Sequence, residues 1–341
     1  MKKVTEIHGV FELFKIFDKI CFNKYVLGSQ MNMLSYYSEN ENKIEMIRED
    51  FFYCGYQFGN VYVWQPLPGE GLNVWDENFN LIAHYDFQIY FDSSSQILSN
   101  KFLASINTNE KYEGFIFSKD FSKKKFIDKY IITTTPNEFI AIKQGKKGVG
   151  SYSISNYELK WSVDLEEAYK ELFIEDNEIS NTRGFTANAD GVYVPLEGGQ
   201  LLALNVNDGS FKWILEREGS NKSGQYVLYD KFLYKMNGQV LFEIDISNGA
   251  ILRKIIFEDI FSNYKANPGG KFKVYDDIIL LKDARGYCVS LFDRKTFTLL
   301  DSFQIDNWNT TFLSSDASMY WHNNKVYVLD SSSILHIYER S

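Results

Sequence analysis

The sequence predicts an all-β fold assembled from repeats of one four-stranded unit, and three observations carry that prediction. Aromatic residues make up 17% of the 341 residues, with 28 phenylalanines and 23 tyrosines, types that favour pleated, half-buried strands. Short turns containing Asn, Asp or Gly precede strand-like runs at eight places, spaced by 36 to 53 residues. Each of these runs is followed by a second alternating run, a further turn and a third, so that with the run before the turn every unit holds four strands. A period of this size marks a β-propeller. Eight units predict an eight-bladed one, and seven blades are the fallback if the weak third unit is misread.

The turns define the units in order. They are Asn23-Lys24 before YVLGS, Gly59-Asn60 before VYVWQ, Asn100-Lys101 before FLASI and Asn137-Glu138 before FIAIK. The other four are Asp190-Gly191 before VYVPL, Asp230-Lys231 before FLYKM, Asp276-Asp277 before IILLK and Asn323-Asn324 before KVYVL. Asn, Asp and Gly tolerate the positive φ that tight hairpins demand. The fifth unit is the clearest, running LLALNV, then Asn207-Asp208-Gly209, then SFKWILE. The eighth, KVYVLDSSSILHIYER, has no fourth run after it. The segment 9–17, GVFELFKIF, is strand-like and has no earlier partner, so it is expected to be the outer strand that completes the last blade. Residues 1–341 are then a single domain with no exposed open end.

The wording of the repeat resembles the PQQ-like, WD40-like β-propeller family. The match is carried by Val192-Tyr193-Val194, Gly199, Ala203-Leu204-Asn205, Gly209 and Trp213, then by Asp245 and Gly249, and by Trp161. Asn205 stands where that family usually has Asp. The resemblance implies a propeller, and it lies nearer the non-enzymatic, protein-binding members than the quinone dehydrogenases. Those enzymes place calcium beside the quinone, and many carry a disulfide between adjacent cysteines. Here Cys21, Cys54 and Cys288 are far apart, and the matching strands have no comparable acid and amide set. No cofactor is expected.

Charge and motifs narrow the function further. A net charge of −9 argues against nucleic acid, whose phosphates need clustered Lys and Arg. The basic runs 122–125 and 143–147 read as solvated turns. Widely spaced cysteines suit a reducing compartment, and Glu6, Glu12, Lys15 and Asp18 interrupt the apolar run that a signal peptide needs. A cytoplasmic location and no membrane contact are therefore expected. The four histidines, His8, His84, His322 and His336, form no metal-binding pattern, and His84 and His336 read as structural strand residues. Asp76, Asp245 and Asp293 recur at one repeat position. That recurrence suggests turn capping rather than the paired carboxylates of a glycosidase.

Loops carry function on repeat scaffolds. The longest links, 166–184, 258–271 and 304–316, all join an outer strand to the next inner one, and the elaborate hairpins at 66–71, 107–114 and 144–149 emerge on the same rim. The insertion 166–184 opens with a short amphipathic helix over 166–175, by spacing. Candidate binding residues on this rim are the aromatic Tyr112, Tyr169, Tyr264 and Trp308 and the acidic Glu166, Glu167, Glu175, Asp176, Glu258 and Asp259, which suit a basic partner. The expected function is a non-catalytic protein-binding platform, an adaptor or an immunity protein that neutralises a toxin, working as a monomer. The alternative is a glycan- or small-molecule-binding propeller, or a hydrolase or lyase, acting at the central channel.

Overall fold

In the computed structural model the described residues are 1–25, 32–38, 40–49, 55–58, 61–64, 72–85, 96–98, 101–108, 111–118, 124–127, 130–134, 138–142, 148–168, 186–196, 200–215, 225–237, 240–257, 271–282, 288–305 and 319–340. Their strands group four by four into eight antiparallel sheets. After β1 (Lys2–His8), the first sheet takes β2 (Val10–Ile16), β3 (Lys19–Tyr25), β4 (Asn32–Ser38) and β5 (Lys43–Glu49). The second takes β6 (Gly55–Phe58), β7 (Val61–Trp64), β8 (Leu72–Asp76) and β9 (Leu81–Tyr85). The third has β10 (Gln96–Leu98), β11 (Lys101–Thr108), β12 (Lys111–Ser118) and β13 (Lys124–Ile127). The fourth has β14 (Tyr130–Thr134), β15 (Glu138–Ile142), β16 (Gly148–Ser153) and β17 (Leu159–Asp164), followed by the helix α1 (Leu165–Ala168).

The fifth sheet comprises β18 (Thr186–Ala187), β19 (Val192–Pro195), β20 (Leu201–Leu204) and β21 (Phe211–Leu215). The sixth comprises β22 (Gln225–Tyr229), β23 (Phe232–Asn237), β24 (Val240–Asp245) and β25 (Ile251–Ile256). The seventh comprises β26 (Phe272–Val274), β27 (Ile278–Lys282), β28 (Cys288–Asp293) and β29 (Leu299–Gln304). The eighth joins β30 (Met319–His322), β31 (Lys325–Leu329) and β32 (Ile334–Glu339) to β1, so the first and last strands of the chain lie side by side.

The beginning of the chain corrects the sequence reading. The strand beside β32 is Lys2–His8, with Ile7 opposite Leu335 and Glu6 opposite His336. The segment expected there, 9–17, instead supplies β2, the first strand of the next sheet, paired with β3. Gly9 is the reason: at φ 78° it turns the chain out of β1, a conformation glycine adopts without the Cβ penalty. Val10 N–H then donates to Ser333 C=O at 2.9 Å. The first hairpin turn is accordingly Phe17-Asp18, with Phe17 at φ 54°, and Asn23-Lys24 lies inside β3. Of the other seven, Asp190-Gly191, Asp230-Lys231, Asp276-Asp277 and Asn323-Asn324 fall between the first and second strands of their sheets as expected, Lys101 and Glu138 are the first residues of β11 and β15, and Gly59-Asn60, Asn100 and Asn137 lie outside the described residues.

In the fifth and seventh sheets the second and third strands are nearly unbroken apolar runs because neighbouring sheets cover both of their faces. β19, β20 and β27 are buried at every position, and β28 at all but its last. Fourth strands are covered on one side only, and β25 alternates accordingly. One apolar cluster joins the sixth and seventh sheets through Tyr234, Ile255, Phe272 and Phe292. Another packs Ile7, Leu335 and Ile337 of the eighth sheet on Val10, Leu13 and Phe22 of the first. A repeated latch crosses from sheet to sheet: Trp161 of β17 donates its Nε1–H to Val206 C=O at 2.7 Å, and Trp213 of β21 donates to Ile246 C=O at 3.0 Å.

Candidate protein-binding rim

The antiparallel order places the links between sheets and the hairpins between second and third strands at one end of the sheets. Three of those links leave the core through a buried apolar residue set directly after the fourth strand. Leu165 follows β17, Phe257 follows β25 and Ile305 follows β29, with relative exposures of 0%, 0% and 1%. Each plug fixes where its link departs. The sequence signal was an apolar residue four positions after Trp161, Arg253 and Asp301, and sequence reasoning did not use it.

α1 begins at one such plug. Leu165 packs with Val149, Trp161 and Val192, while Asp164 Oδ1 accepts the Glu167 N–H at 3.2 Å and so supplies an acceptor to the first turn. Glu167 and Ala168 are exposed. The described helix is Leu165–Ala168, so of the helix expected over 166–175 only the first turn falls among the described residues. Glu166 and Glu167 stand on it. Tyr169, Glu175, Asp176, Glu258, Asp259, Tyr264 and Trp308, with the rest of 166–184 beyond α1, lie outside the described residues.

Tyr112 is on β12, opposite Asn107 of β11. This hairpin pairs continuously from Lys101–Ser118 to Thr108–Lys111. Among the described residues β10 pairs with Lys101–Leu103 and β13 with Gly114–Phe117, and the far end of the hairpin, the β11–β12 arm, carries Tyr112 next to its tip. Lys124 and Lys125, expected in a turn, belong to β13. The second basic run, 143–147, lies outside the described residues.

The recurrent aspartates are turn caps. Asp76 Oδ1 accepts the N–H groups of Asn78 and Asn80 at 2.9 and 2.8 Å. Asp245 Oδ1 accepts Ser247 N–H at 2.8 Å, and Asp293 Oδ1 accepts Thr296 N–H at 2.8 Å. Asn205 and Ser153 do the same at the equivalent positions, accepting from Asn207 and Ser155. Hydrogen bonds from Asn80, from Ser247 and from Thr296 hold the Asp76, Asp245 and Asp293 carboxyls, respectively, below the ordinary value. These carboxylates stay ionised and committed to their turns.

The strand histidines are hydrogen bonded too. His84 Nδ1 lies 2.8 Å from Asn73 Oδ1. His336, 1% exposed, sets Nε2 2.8 Å from Asp330 Oδ2, with Glu6 Oε1 of β1 at 3.2 Å from its other nitrogen. Among the described residues, no group of three or more His, Cys, Asp and Glu side chains could hold a metal, and no helix is long and apolar enough to cross a membrane.

No family model matches the chain, and no curated protein does, so the PQQ-like resemblance has no such support. Solved structures are similar throughout. The C-terminal WD40 domain of Sif2 superposes with a TM-score of 0.68 at 11% identity, covering 100% of this chain and 98% of that one. BamB from Moraxella catarrhalis gives 0.59 at 10% identity over 99% of each chain. Sqt1 from Chaetomium thermophilum, solved bound to the N-terminus of the ribosomal protein L10, gives 0.57 at 11% identity over 96% of this chain and 92% of that one. The fold is a WD40-like β-propeller, and the four-stranded sheets fit its blades.

Proposed function

We propose that this chain is a non-catalytic, protein-binding propeller of eight blades, closed by β1 as the outer strand of the last, whose partner docks on the rim that carries the β11–β12 arm. The observation that carries the reading is the one-sided rim: the links between sheets and the β11–β12 hairpin leave the sheets at the same end, with Tyr112 near the tip of the hairpin and Glu167 exposed on α1. The similar Sqt1 fold bound to a segment of another protein supports a protein partner, and Glu166 and Glu167 beside the arm's rim suit a basic one.

An adaptor or a toxin-neutralising immunity protein fits a monomeric platform of this kind. Cys21 and Cys288 are buried thiols, which suits the cytoplasm. The test is site-specific photocrosslinking. A crosslinking residue replaces Tyr112 on the arm or, as the control, Asn324 at the opposite end of the sheets, and captured proteins are compared in cells of the source organism. A protein caught from position 112 and not from 324, and lost when Glu166 and Glu167 are reversed to Lys, is the expected result. Equal capture from both positions, or none from 112, refutes the rim.

A further inference from the structure

His336 of β32 is a buried imidazole set between two carboxylates. Asp330 Oδ2, in the turn that leads into β32, lies 2.8 Å from Nε2. Glu6 Oε1 of β1 lies 3.2 Å from Nδ1. Glu6 and His336 are register partners in the pair that joins the start of the chain to its end. A neutral imidazole has one N–H to give, and Asp330 claims it. Asp330 Oδ1 already accepts the N–H groups of Ser332 and Ile334 at 2.8 and 3.0 Å. In spite of burial its carboxyl titrates below the ordinary value, so Oδ2 is ionised and can only accept. Nδ1 is then a lone pair beside the Glu6 carboxylate, and it makes no hydrogen bond. A protonated ring donates on both sides, with charge assistance.

The surrounding groups leave that choice to the ring. Val328, opposite His336 on β31, belongs to an apolar cluster with Leu280, Val289 and Leu291 of the seventh sheet. Leu335 and Ile337 pack β32 onto the first sheet, and the Tyr338 ring centroid is 6.3 Å from that of His336. Asp301 of β29 is paired with the Met1 amino group, and Lys3 with Glu6. His8, exposed, is a second imidazole near the same carboxylate, with Nε2 3.9 Å from Glu6 Oε2. We propose that His336 is a proton-operated clasp on the closing strand: the protonated ring holds β1 through Glu6, and the neutral ring releases β1 from the edge of β32. Closure tightens in acid and loosens in alkali over the range where imidazoles titrate, about pH 5 to 8. Release uncovers the β32 edge, a row of backbone donors and acceptors open to another strand. The clasp is separate from the rim reading and needs no contact at Tyr112.

Hydrogen exchange of the whole chain, followed by mass spectrometry from about pH 5.5 to about pH 8 and divided by the intrinsic rate at each pH, reads the clasp. Protection of the β1 amides is expected to fall by about tenfold or more over this range, measured against β24 and β25. The fall is expected to vanish in His336→Gln and in Glu6→Gln, whose uncharged amide can donate to a neutral ring, and to persist in His8→Gln. Glu6 is partly exposed, so Glu6→Gln, checked by thermal melting, decides the matter where His336→Gln does not fold. A flat or rising profile in the parent chain, a fall that survives Glu6→Gln, or one abolished by His8→Gln overturns the proposal. A fall shared equally by β2 and β3 overturns it too, because Glu12 would then be the group responsible. Crosslinking at position 112 depends on none of these results, so each reading fails on its own measurement.

Discussion

Trp213 on β21 and Gly249 in the turn after β24 are fitted to one another across the boundary of two sheets. Gly249 holds φ 76°, and a Cβ added there would lie 2.8 Å from the indole ring. Gly209 repeats the relationship with Trp161, at φ 72° and 2.5 Å. The glycine does two things: it supplies a left-handed turn, and it lets the ring close onto backbone. Gly249→Ala is expected to cost about 1–3 kcal/mol through both strain and clash, read as a lowered melting temperature. The same change combined with Trp213→Leu, which removes the ring, is expected to recover part of the loss, and additive losses would contradict the fit.

One sheet further on, the latch changes chemistry. Arg253 pairs with Glu243 across β25 and β24 as Trp213 pairs with Ala203 across β21 and β20, and its Nη2 donates to Arg294 C=O at 3.0 Å. Phe297, at φ 60°, takes the turn position of the glycines, with the guanidinium 4.1 Å from its ring centroid. Glu243, 2% exposed, accepts Arg253 Nε–H at 2.9 Å and Tyr234 O–H at 2.7 Å. Arg253→Ala strands a buried carboxylate and is expected to destabilise by roughly 2–4 kcal/mol. Arg253→Ala/Glu243→Gln is expected to regain much of that in denaturant unfolding. No recovery would mean that packing on Phe297, not charge, is what the arginine supplies.

Glu12 makes stability depend on pH in the neutral range. Burial raises its carboxyl from 4.5 to about 7, against a hydrogen bond from Asn23 Nδ2 at 3.1 Å. A raised folded value means that the native state holds the proton more tightly. This contribution is complete below the unfolded value near 4.5 and lost as pH rises through about 7. Glu12→Gln is expected to melt higher than the parent at pH 8 and level with it at pH 4. A parent that melts higher at pH 8 would reverse the sign.

Asp330 has the opposite linkage. Burial pushes its carboxyl up, but the His336 ring and the N–H groups of Ile334 and Ser332 outweigh it and hold it below 3.8. Its contribution is present above that value and lost as pH falls through the lower folded one. Asp330→Asn is expected to melt lower than the parent at neutral pH, with the gap closing as the solution is acidified below about pH 4. A gap that widens in acid would exclude this account.

The repeat was legible because hairpin chemistry is local. Asp230-Lys231 or Asn323-Asn324 announces a turn from its own residues, and Asp245 or Asp293 announces a cap. Phe17-Asp18 does not, since a phenylalanine at positive φ is a rare choice that neighbouring structure must enforce. Gly9 read as the start of a strand although it ends one. The latches were half legible: Trp161 and Trp213 stood out as repeat letters, whereas Arg253 could be matched to them only once its pairing with Glu243 was known. Of the rim, Tyr112 and Glu167 were named from the sequence, but the strand pair that sets Tyr112 opposite Asn107 depends on the register of β11 and β12.

Local residue chemistry by itself marked out repeating four-stranded units and the capping role of the recurrent aspartates, because turns and caps need only a few neighbouring residues. Tertiary structure alone decided that Lys2–His8 lies beside β32 and that Val10–Ile16 opens the next sheet. Strand partners far apart in sequence are chosen by packing and register, and those energies exist only when the sheets are assembled.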